Sequence, residues 1–479
     1  MSKKQKKEQH QLVIIGAGPG GYHAAFLAAD LGMQVTLVDP EINPGGVCLY
    51  RGCIPSKALL HLAKIRAETE EAGQWGMKFN KPSIDIDKVR EWKNSVVKKL
   101  TGGLGQLAKS RKVNYVRGKA KFIGSSELEV DPHNGESYSI EFKNAIVATG
   151  ASPISLPGVD MSSDKVMNSE EALNISEVPK SLLVIGGGYI GLEMSSVYKA
   201  LGSKVTIAEM TSDFLPGIDR ELVKTFKKIN NNLFKDIFLE TKVEALKKDG
   251  EKIKAVLNPH EGKKVTKSFD KVLVSIGQKP NTENIGLKNT SIKTDEKRFI
   301  KVDEQQRTKE KHIFAIGDVV GGMMLAHKAS YEGRVAVEAI DGKKAAFDAR
   351  AVPAVVYTHP EIAYTGITED KAKETNKKIN VTKFPWSASG RALTMGADGL
   401  TKLIFEEDSD VLVGAAVVGD NAGELIAELT HAVEMASNAM DLSLTIHPHP
   451  TLSETIMEAA EMIYGHATHI HKRKRTKKK

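Results

Sequence analysis

The sequence predicts an α/β protein with two doubly wound parallel sheets, followed by a C-terminal unit of the α+β class. Two glycine-rich turns support this prediction, at residues 16–21 and 186–191, and each stands between a strand pattern and a helix pattern. From about Val352 the pattern of strands and helices changes. At roughly 100–200 residues per domain, a chain of 479 residues has room for three or four compact units.

Composition excludes several classes of protein. Apolar residues make up 41% of the chain, yet no apolar run approaches the roughly 18–20 residues that span a bilayer, and no signal-peptide core is present. Two cysteines are too few for a disulfide-stapled secreted protein, so we expect a cytoplasmic one.

The net charge of +8 comes from the two ends of the chain. Residues 3–7 and 472–479 carry eleven of the 68 Lys and Arg residues, which leaves 57 basic against 60 acidic residues in the body. We expect solvated, unstructured tails. Contact of the tails with nucleic acid or anionic lipid stays the alternative, although no zinc spacing or RNA-binding motif accompanies them.

The first glycine turn carries a dinucleotide fingerprint. The strand pattern Gln11–Ile15 leads into Gly16, Gly18 and Gly21, a helix pattern follows to about Leu31, and the strand pattern Val35–Val38 ends at Asp39. In this context the first glycine permits a tight turn, the second lets the backbone approach a pyrophosphate, and the third lets the helix pack closely. The helix N-terminus attracts phosphate, and Asp39 is placed to bind a ribose.

The same arrangement recurs 170 residues later. The strand pattern Leu182–Ile185 leads into Gly186, Gly188 and Gly191, and the strand pattern Lys204–Ala208 ends at Glu209. We therefore expect two dinucleotide sites; the alternative is one working site and one decayed duplicate.

Further patterns place other strands. Segments 144–150, 271–277 and 313–318 each read as a buried strand that closes on glycine or aspartate, and such strand ends hold ligands in open α/β sheets. In the C-terminal unit, strand patterns at Thr401–Phe405 and Val411–Val418 alternate with helical patterns at 421–437 and 453–464.

Cys48 and Cys53 follow directly on the first fold. In a regular helix, residues five apart point about 140° away from each other, so a disulfide between them requires an irregular turn. Gly45, Gly46 and Gly52 permit one, and such a bond is expected to be exchangeable. The alternative is two ordinary buried thiols.

The segment GGVCLYRGCIPSK at residues 45–57, behind a nucleotide fingerprint, resembles the flavin-dependent pyridine nucleotide–disulfide oxidoreductases. Within that family it is most similar to enzymes that oxidise dihydrolipoyl groups. The resemblance covers about residues 11–466 and implies FAD at the first fingerprint, NAD at the second and a redox disulfide between the two cysteines. It implies FAD contacts at Gly16, Gly18, Gly21, Asp39, Gly46, Lys57, Ala120, Gly150, Asp318 and Ala326. It implies NAD contacts at Gly186, Gly188, Tyr189, Ile190, Gly191, Glu193, Glu209, Val243 and Gly277.

The C-terminal signature IHPHPTLSE at residues 446–454 matches a His–Glu pair of the family at His449 and Glu454. A base oriented by a carboxylate suits the activation of a thiol. The resemblance implies that this pair serves the active site of a partner subunit, so we expect a two-fold homodimer with a large apolar interface formed mostly by residues 352–466. His447 is predicted to be structural.

Some positions depart from the family pattern, namely Tyr50, Arg51, Tyr189, Gln278 and Pro448. Tyr189 resembles a gating tyrosine of glutathione reductases. None of these departures removes a redox group.

Three features choose among relatives. Glu209 repels a 2′-phosphate and no arginine stands directly after it, which predicts NAD over NADP. The lack of a further cysteine pair excludes relatives that need a second pair. The presence of both Cys48 and Cys53 excludes relatives that lack a complete first pair. The resemblance therefore implies a dihydrolipoyl dehydrogenase activity served by the lipoyl domain of 2-oxo acid dehydrogenase complexes. An NAD(P)H-dependent reductase of another small disulfide, or a nucleic-acid-tethering protein with redox-sensing cysteines, are the alternatives. The expected divisions are 1–10 (unstructured), 11–150 (FAD), 151–275 (NAD), 276–350 (completing the FAD unit), 351–466 (dimerisation) and 467–479 (tail).

Overall fold

The computed structural model describes residues 8–161, 163–230 and 234–470. The first part of the chain holds the first glycine turn and both cysteines. Its elements are β1 (Glu8–Ile15), α1 (Pro19–Asp30), β2 (Val35–Asp39), α2 (Gly46–Arg51), α3 (Cys53–Glu71), α4 (Ile86–Ser110), β3 (Asn114–Gly124), β4 (Glu127–Pro132), β5 (Tyr138–Val147) and β6 (Ala151–Pro153).

The middle of the chain holds the second glycine turn. Its elements are β7 (Val166–Met167), α5 (Ser169–Ala172), β8 (Ser181–Ile185), α6 (Tyr189–Leu201), β9 (Lys204–Ala208), α7 (Arg220–Ile229), β10 (Asp236–Phe238), β11 (Thr241–Asp249), β12 (Lys252–Pro259), β13 (Val265–Phe269), β14 (Lys271–Val274) and β15 (Gln278–Pro280).

The remaining elements are β16 (Ile313–Ala315), α8 (Ala326–Ile340), β17 (Ala354–Val356), β18 (Glu361–Gly366), α9 (Glu369–Glu374), β19 (Ile379–Pro385), α10 (Gly390–Met395), β20 (Leu400–Glu406), β21 (Leu412–Gly419), α11 (Ala422–Glu434), α12 (Ala439–Leu444) and α13 (Glu454–Glu461).

Two parallel sheets share one plan. The first has the parallel order β3-β2-β1-β5-β16, and β4 joins the far halves of β3 and β5 in antiparallel pairing. The second has the order β10-β9-β8-β14-β7. In each sheet the central strand leads into a glycine turn at the point where the strand order reverses. That point is where open α/β sheets bind ligands.

The C-terminal sheet is antiparallel, in the order β17-β18-β21-β20-β19, and it packs against α11 and α13 around a separate apolar core. The fold class predicted from the sequence is confirmed. A meander β11-β12-β13 and a short pair β6-β15 were not predicted, because both consist of short or strongly polar strands.

The prediction that residues 1–10 are unstructured is wrong for residues 8–10. They belong to β1, where Glu8 pairs with Ile140 and His10 with Phe142, and the His10 ring is hydrogen-bonded to Thr36 Oγ1. The sequence did not reveal this part of the strand, because residues 8–10 have no apolar pattern. A parallel ladder can form there because its hydrogen bonds come from the backbone. Residues 1–7 lie outside the described residues.

The beginning of the predicted C-terminal tail is held against the body of the chain. Ile470 packs on the C-terminal core, and His469 Nδ1 lies 2.5 Å from Glu458 Oε1. The basic residues 472–479 lie outside the described part of the chain.

Candidate active site

The first glycine turn has no space for side chains where its backbone folds on itself. Gly16 has φ +100°, and a Cβ there would lie 2.3 Å from Ala148 O; a Cβ on Gly21 would lie 1.9 Å from Gly16 O. A Cβ on Gly18 meets nothing within 4 Å, so its open side leaves room for a ligand. No side chain caps α1, so its first N–H groups point at this opening.

The second glycine turn repeats these three features. Gly186 has φ +109° and its Cβ would lie 2.4 Å from Ser275 O, a Cβ on Gly188 meets nothing within 4 Å, and a Cβ on Gly191 would lie 2.0 Å from Gly186 O. The helix α6 also begins without a side-chain cap. This similarity counts against a decayed duplicate.

Each acidic residue that is predicted to bind a ribose also accepts a hydrogen bond from its own glycine turn. Asp39 Oδ2 accepts a hydrogen bond from Ala17 N at 2.6 Å, and Glu209 Oε2 accepts one from Gly187 N at 2.5 Å. Both carboxylates are buried, and burial raises the pKa of Asp39. Sequence reasoning missed this bond, although the equal spacing of turn and acid in both folds signals it. A carboxylate has four lone-pair positions, so each acid retains capacity for a ribose hydroxyl.

The remaining predicted FAD contacts lie on the first sheet and around its turn. Gly46 has φ +58°, and a Cβ there would lie 2.4 Å from Gly18 Cα, so the start of α2 abuts the first turn. Gly150 has φ +71° with open space beside it. Burial raises the pKa of half-buried Asp318, and Lys328 opposes this. Ala326 begins α8, and Ala120 lies in β3.

The remaining predicted NAD contacts surround the second turn. Tyr189 and Ile190 begin α6, and Glu193 lies one turn further along that helix. Val243 is buried in β11, and Gly277, with φ +127°, follows β14. Gln278, a departure from the family pattern, begins β15.

The two cysteines flank a break between two helices. Cys48 lies in α2, which ends at Arg51, and Cys53 is the first residue of α3. A Cβ on the intervening Gly52 would lie 2.9 Å from Val47 O and 3.2 Å from Cys48 Cα. This glycine provides the irregular turn that a bond between the cysteines requires. Both residues are thiols in the structure.

The thiol pair is electrostatically polarised. Cys48 donates its S–H to the Cys53 sulfur, and this bond raises the pKa of Cys48 and lowers the pKa of Cys53. The positive charge of Lys57 and the backbone N–H at the start of α3 lower the Cys53 pKa further. Of the two sulfurs, Cys53 is therefore the one that ionises more readily.

Lys57 is held by groups distant in sequence. Its Nζ lies 2.9 Å from Glu193 Oε2 in α6 and 4.4 Å from the ring centroid of Tyr357. The backbone N–H of Tyr357 also donates to Glu193 Oε1 at 3.0 Å. Residues of α3, α6 and the C-terminal unit thus converge on the charge beside Cys53.

Two residues between the cysteines that differ from the family pattern, Tyr50 and Arg51, have structural roles. Arg51 forms ion pairs with Glu41 at 2.5 Å and Glu170 at 3.0 Å. The Tyr50 hydroxyl is hydrogen-bonded to both the N–H and the carbonyl of Asn43. Both side chains fix α2 to the loop that follows β2, and Arg51 also fixes it to α5.

The C-terminal His–Glu pair is formed. His449 Nδ1 lies 2.8 Å from Glu454 Oε1, and Glu454 Oε2 accepts the N–H of Thr451 at 2.8 Å. Desolvation opposes ionisation of Glu454, but these bonds prevail and lower its pKa. The His449 side chain is 79% exposed. No hydrogen bond joins it to either cysteine within the described residues, so the structure of one chain does not bring the two groups together.

His447 lies two residues away in a different setting. Its side chain is buried and lies 2.8 Å from Glu428, and this bond raises the His447 pKa. These contacts fit a structural role. Pro448 has no contact that explains its departure from the family pattern.

None of the helices that the structure describes is long and apolar enough to cross a membrane.

Comparison with known proteins identifies the family. Residues 10–333 match the pyridine nucleotide-disulphide oxidoreductase model, and residues 352–460 match that family's dimerisation domain. The chain is 46% identical to the dihydrolipoyl dehydrogenase of Vibrio cholerae, over 99% of this chain and 100% of the relative. It is 45% identical to that of Geobacillus stearothermophilus, over 96% and 97%.

Solved structures agree. LpdA from Mycobacterium tuberculosis matches with a TM-score of 0.88 at 26% identity, over 95% of this chain and 99% of the neighbour. The HOCl-induced flavoprotein disulfide reductase RclA from Escherichia coli matches with a TM-score of 0.84 at 27% identity, over 95% and 100%. The polarised thiol pair, the two glycine turns and these matches together show that the chain belongs to the pyridine nucleotide-disulphide oxidoreductase family.

Proposed function

We propose that this chain is a dihydrolipoyl dehydrogenase, which oxidises protein-bound dihydrolipoyl-lysine to lipoyl-lysine with Cys48, Cys53 and FAD and reduces NAD⁺. The observation that carries the proposal is the polarised thiol pair at the break between α2 and α3, where the start of α2 abuts the first glycine turn. The curated relatives with this name match the chain over nearly its whole length.

The residues present fit FAD at the first turn. The open side of Gly18, the uncapped N-terminus of α1 and the lone pairs of Asp39 suit a pyrophosphate and a ribose. Gly46, Gly150, Asp318, Ala326 and Ala120 would complete the site, and Lys57 would lie beside the flavin ring. When bound, FAD supplies the two-electron chemistry that links the thiol pair to NAD⁺.

The chain's own residues carry the thiol exchange. In the oxidised enzyme Cys48 and Cys53 form a disulfide, and His449, oriented by Glu454, takes a proton from a dihydrolipoyl thiol. The thiolate attacks the Cys48 sulfur, and the bond to Cys53 breaks. The second substrate thiol then displaces Cys48 and gives its proton to the departing Cys48 sulfur, which releases lipoyl and leaves a Cys48 thiol and a Cys53 thiolate. The raised pKa of Cys48 and the lowered pKa of Cys53 favour this position of the proton.

We place NAD⁺ at the second turn, with Gly186, Gly188 and Gly191 against the pyrophosphate and Glu209 against the adenosine ribose. Tyr189, Ile190, Glu193, Val243 and Gly277 line this site. Glu209 disfavours a 2′-phosphate by charge repulsion. Rates with NADH and NADPH separate this function from an NADPH-dependent reductase of another small disulfide, which Tyr189 alone favours.

The active site is proposed to be shared across a two-fold homodimer, with the cysteines of one chain and His449 and Glu454 of the other. Support comes from the match to a dimerisation domain and from the exposed His449 side chain. Mixed refolding of Cys48→Ser and His449→Ala chains tests this. A mixed dimer regains one working site of two; mixed dimers without activity contradict the shared site.

The proposed partner is the lipoyl domain of a 2-oxo acid dehydrogenase complex. The proposed location is the cytoplasm. In that compartment, a cysteine pair that cycles between thiol and disulfide is catalytic rather than structural. The divisions at residues 11–150, 151–275, 276–350 and 351–466 are proposed as its functional units.

A flavin absorbance spectrum together with steady-state reduction of NAD⁺ by dihydrolipoamide tests the function. We expect a yellow protein that is active with NAD⁺. A preparation that holds FAD but does not reduce NAD⁺ with dihydrolipoamide contradicts the proposal.

A further inference from the structure

A cavity of about 340 Å³ lies between the N-terminal half of α4 and the segment that precedes β8. Its lining residues are Arg90, Lys93, Asn94, Asn174 and Ser176. Two of these side chains are cationic, two are carboxamides, one is a hydroxyl, and none is acidic. The lining therefore offers hydrogen-bond donors and positive charge to a ligand.

Lys93 is a buried cation without a counter-ion. Only 4% of the residue is exposed, and its Nζ donates one hydrogen bond, to Leu173 O at 2.9 Å. It has no ion pair among the residues that the structure describes, and two ammonium donors are left. Burial, assisted by the charge of Arg90, lowers the Lys93 pKa. Because a buried charge is costly unless it is paired, an anion would stabilise this site.

Arg90 is hydrogen-bonded to the loop on the other side of the cavity, which contains the strained residue Ile175. Its Nη2 and Nε donate to Ile175 O at 2.9 and 3.3 Å, and its Nη1 donates to Asp87 at 2.8 Å. Ile175 has φ +45°, a region that β-branched residues rarely adopt. Such strain persists where the surroundings impose it, and it concentrates at ligand sites.

The strained residue separates two free polar groups. The side chains of Asn174, Ser176 and, across the cavity, Asn94 make no hydrogen bond within the described chain. Ile175 itself is buried, whereas Asn174 and Ser176 are exposed at the rim. The loop thus presents two free donors above the Lys93 ammonium.

We propose that this cavity binds a phosphate group, either as inorganic phosphate or as part of a small phosphorylated metabolite. Lys93 would supply the charge at the floor, and Asn94, Asn174 and Ser176 would supply neutral donors at the rim. The site is separate from both glycine turns and goes beyond the proposed function. A ligand there would connect α4 to the segment that leads into the second parallel sheet. The helix before α4 is α3, which begins at Cys53.

The test uses the FAD-loaded protein with saturating NAD⁺, so that both glycine turns are filled. The midpoint of thermal unfolding is measured against phosphate at constant ionic strength. Phosphate also stabilises proteins without binding, but that effect does not saturate. We expect a saturable increase for the unaltered protein, and in Lys93→Met at least about tenfold weaker binding, as expected for loss of a charged hydrogen bond.

Asn174→Asp provides a second variant that introduces a carboxylate beside Lys93. We expect its midpoint to be higher without phosphate and its response to phosphate to be lost. Lys88→Met, which removes an exposed lysine from the same helix, is the matched control and retains the response. Glycerol phosphate that binds more tightly than inorganic phosphate identifies a metabolite; equal affinity identifies the free ion.

The proposal is overturned if the unaltered protein shows no saturable response, or if Asn174→Asp keeps it. Equal losses in Lys88→Met and Lys93→Met also overturn it, because they show a general charge effect.

Discussion

The two glycine turns are alike in their local geometry and differ in what is attached to them. In both, the first glycine has a positive φ, the second faces open space, and the third lies against the first. In both, the acid at the end of the next strand accepts the N–H of the residue after the first glycine.

The loops that cover the turns differ. Gly45 donates its N–H to Ala17 O at 2.8 Å and leads directly into the cysteine helix α2. At the second turn, Leu215 donates to Gly187 O at 3.1 Å, and its loop leads to Asp219, which lies 2.5 Å from the buried Lys402 Nζ. The loop at the first turn leads to the cysteine pair, and the loop at the second turn attaches that turn to the C-terminal unit.

The turn sequence therefore specifies only the backbone shape, or cradle, that accepts a dinucleotide. The chemistry done beside each cradle is decided by the next loop. Changes within the turns should therefore act on binding, whereas changes in the loops should act on turnover or on choice of cofactor.

The largest expected effect is at the loop of the first turn. Cys48→Ser and Cys53→Ser should each lower dithiol turnover by at least about a thousandfold, because thiol–disulfide exchange needs both sulfurs. FAD content should stay unchanged, because the cradle is intact. Only Cys53→Ser should also remove the long-wavelength charge-transfer absorption of the two-electron-reduced, FAD-loaded enzyme, because we expect Cys53 to be the thiol nearer the flavin.

Steady-state rates, bound flavin and the reduced spectrum check this prediction. Apoprotein from either variant contradicts the separation between cradle and chemistry. If Cys48→Ser removes the long-wavelength absorption and Cys53→Ser keeps it, the roles of the two cysteines are reversed.

A matched pair of alanines separates the two cradles. Gly21→Ala places a Cβ 1.9 Å from Gly16 O and should yield protein with little FAD. Gly191→Ala places a Cβ 2.0 Å from Gly186 O and should retain FAD while its KM for NAD⁺ rises at least about tenfold. Flavin content per chain and KM are the measurements, and Gly103→Ala, a helical position where a Cβ meets nothing within 4 Å, is the control. Loss of FAD from Gly191→Ala would falsify the assignment of the turns.

A smaller effect is expected from exchanging the acid of the second turn. Glu209→Ala combined with Met210→Arg and Asp213→Arg should shift the ratio of kcat/KM toward NADP by at least about tenfold, because arginine binds a 2′-phosphate in bidentate fashion. Affinity for NAD⁺ should also fall, since Glu209 holds the Gly187 N–H. FAD content is the control. An unchanged preference for NAD⁺ places selectivity elsewhere in the pocket.

The sequence predicts those features that depend on local spacing. Both turns, the acids Asp39 and Glu209 and the irregular turn at Gly52 follow from residues near one another in the chain. The contacts of Lys57 with Glu193 and Tyr357 do not, because they join residues far apart in sequence. For the same reason the sequence does not reveal that Lys93 is buried, or that β1 begins at Glu8 among polar residues.

The smallest expected effect concerns the contact between Tyr357 of the C-terminal unit and Lys57, which influences the pKa of Cys53. The lowered pKa of Cys53 means that its thiolate persists to a lower pH than that of an ordinary cysteine, and it is protonated as the pH falls further. Lys57→Met removes a positive charge beside Cys53 and should raise its pKa, so that the long-wavelength absorption of the reduced, FAD-loaded enzyme fades at a higher pH. Tyr357→Leu removes the ring that lies 4.4 Å from Lys57 Nζ and should shift the profile in the same direction, but less. Tyr357→Phe keeps the ring and should leave the profile unchanged. The pH dependence of Cys53 alkylation in the apoprotein gives a second reading without flavin. If Tyr357→Phe and Tyr357→Leu behave alike in both measurements, the ring does not position Lys57.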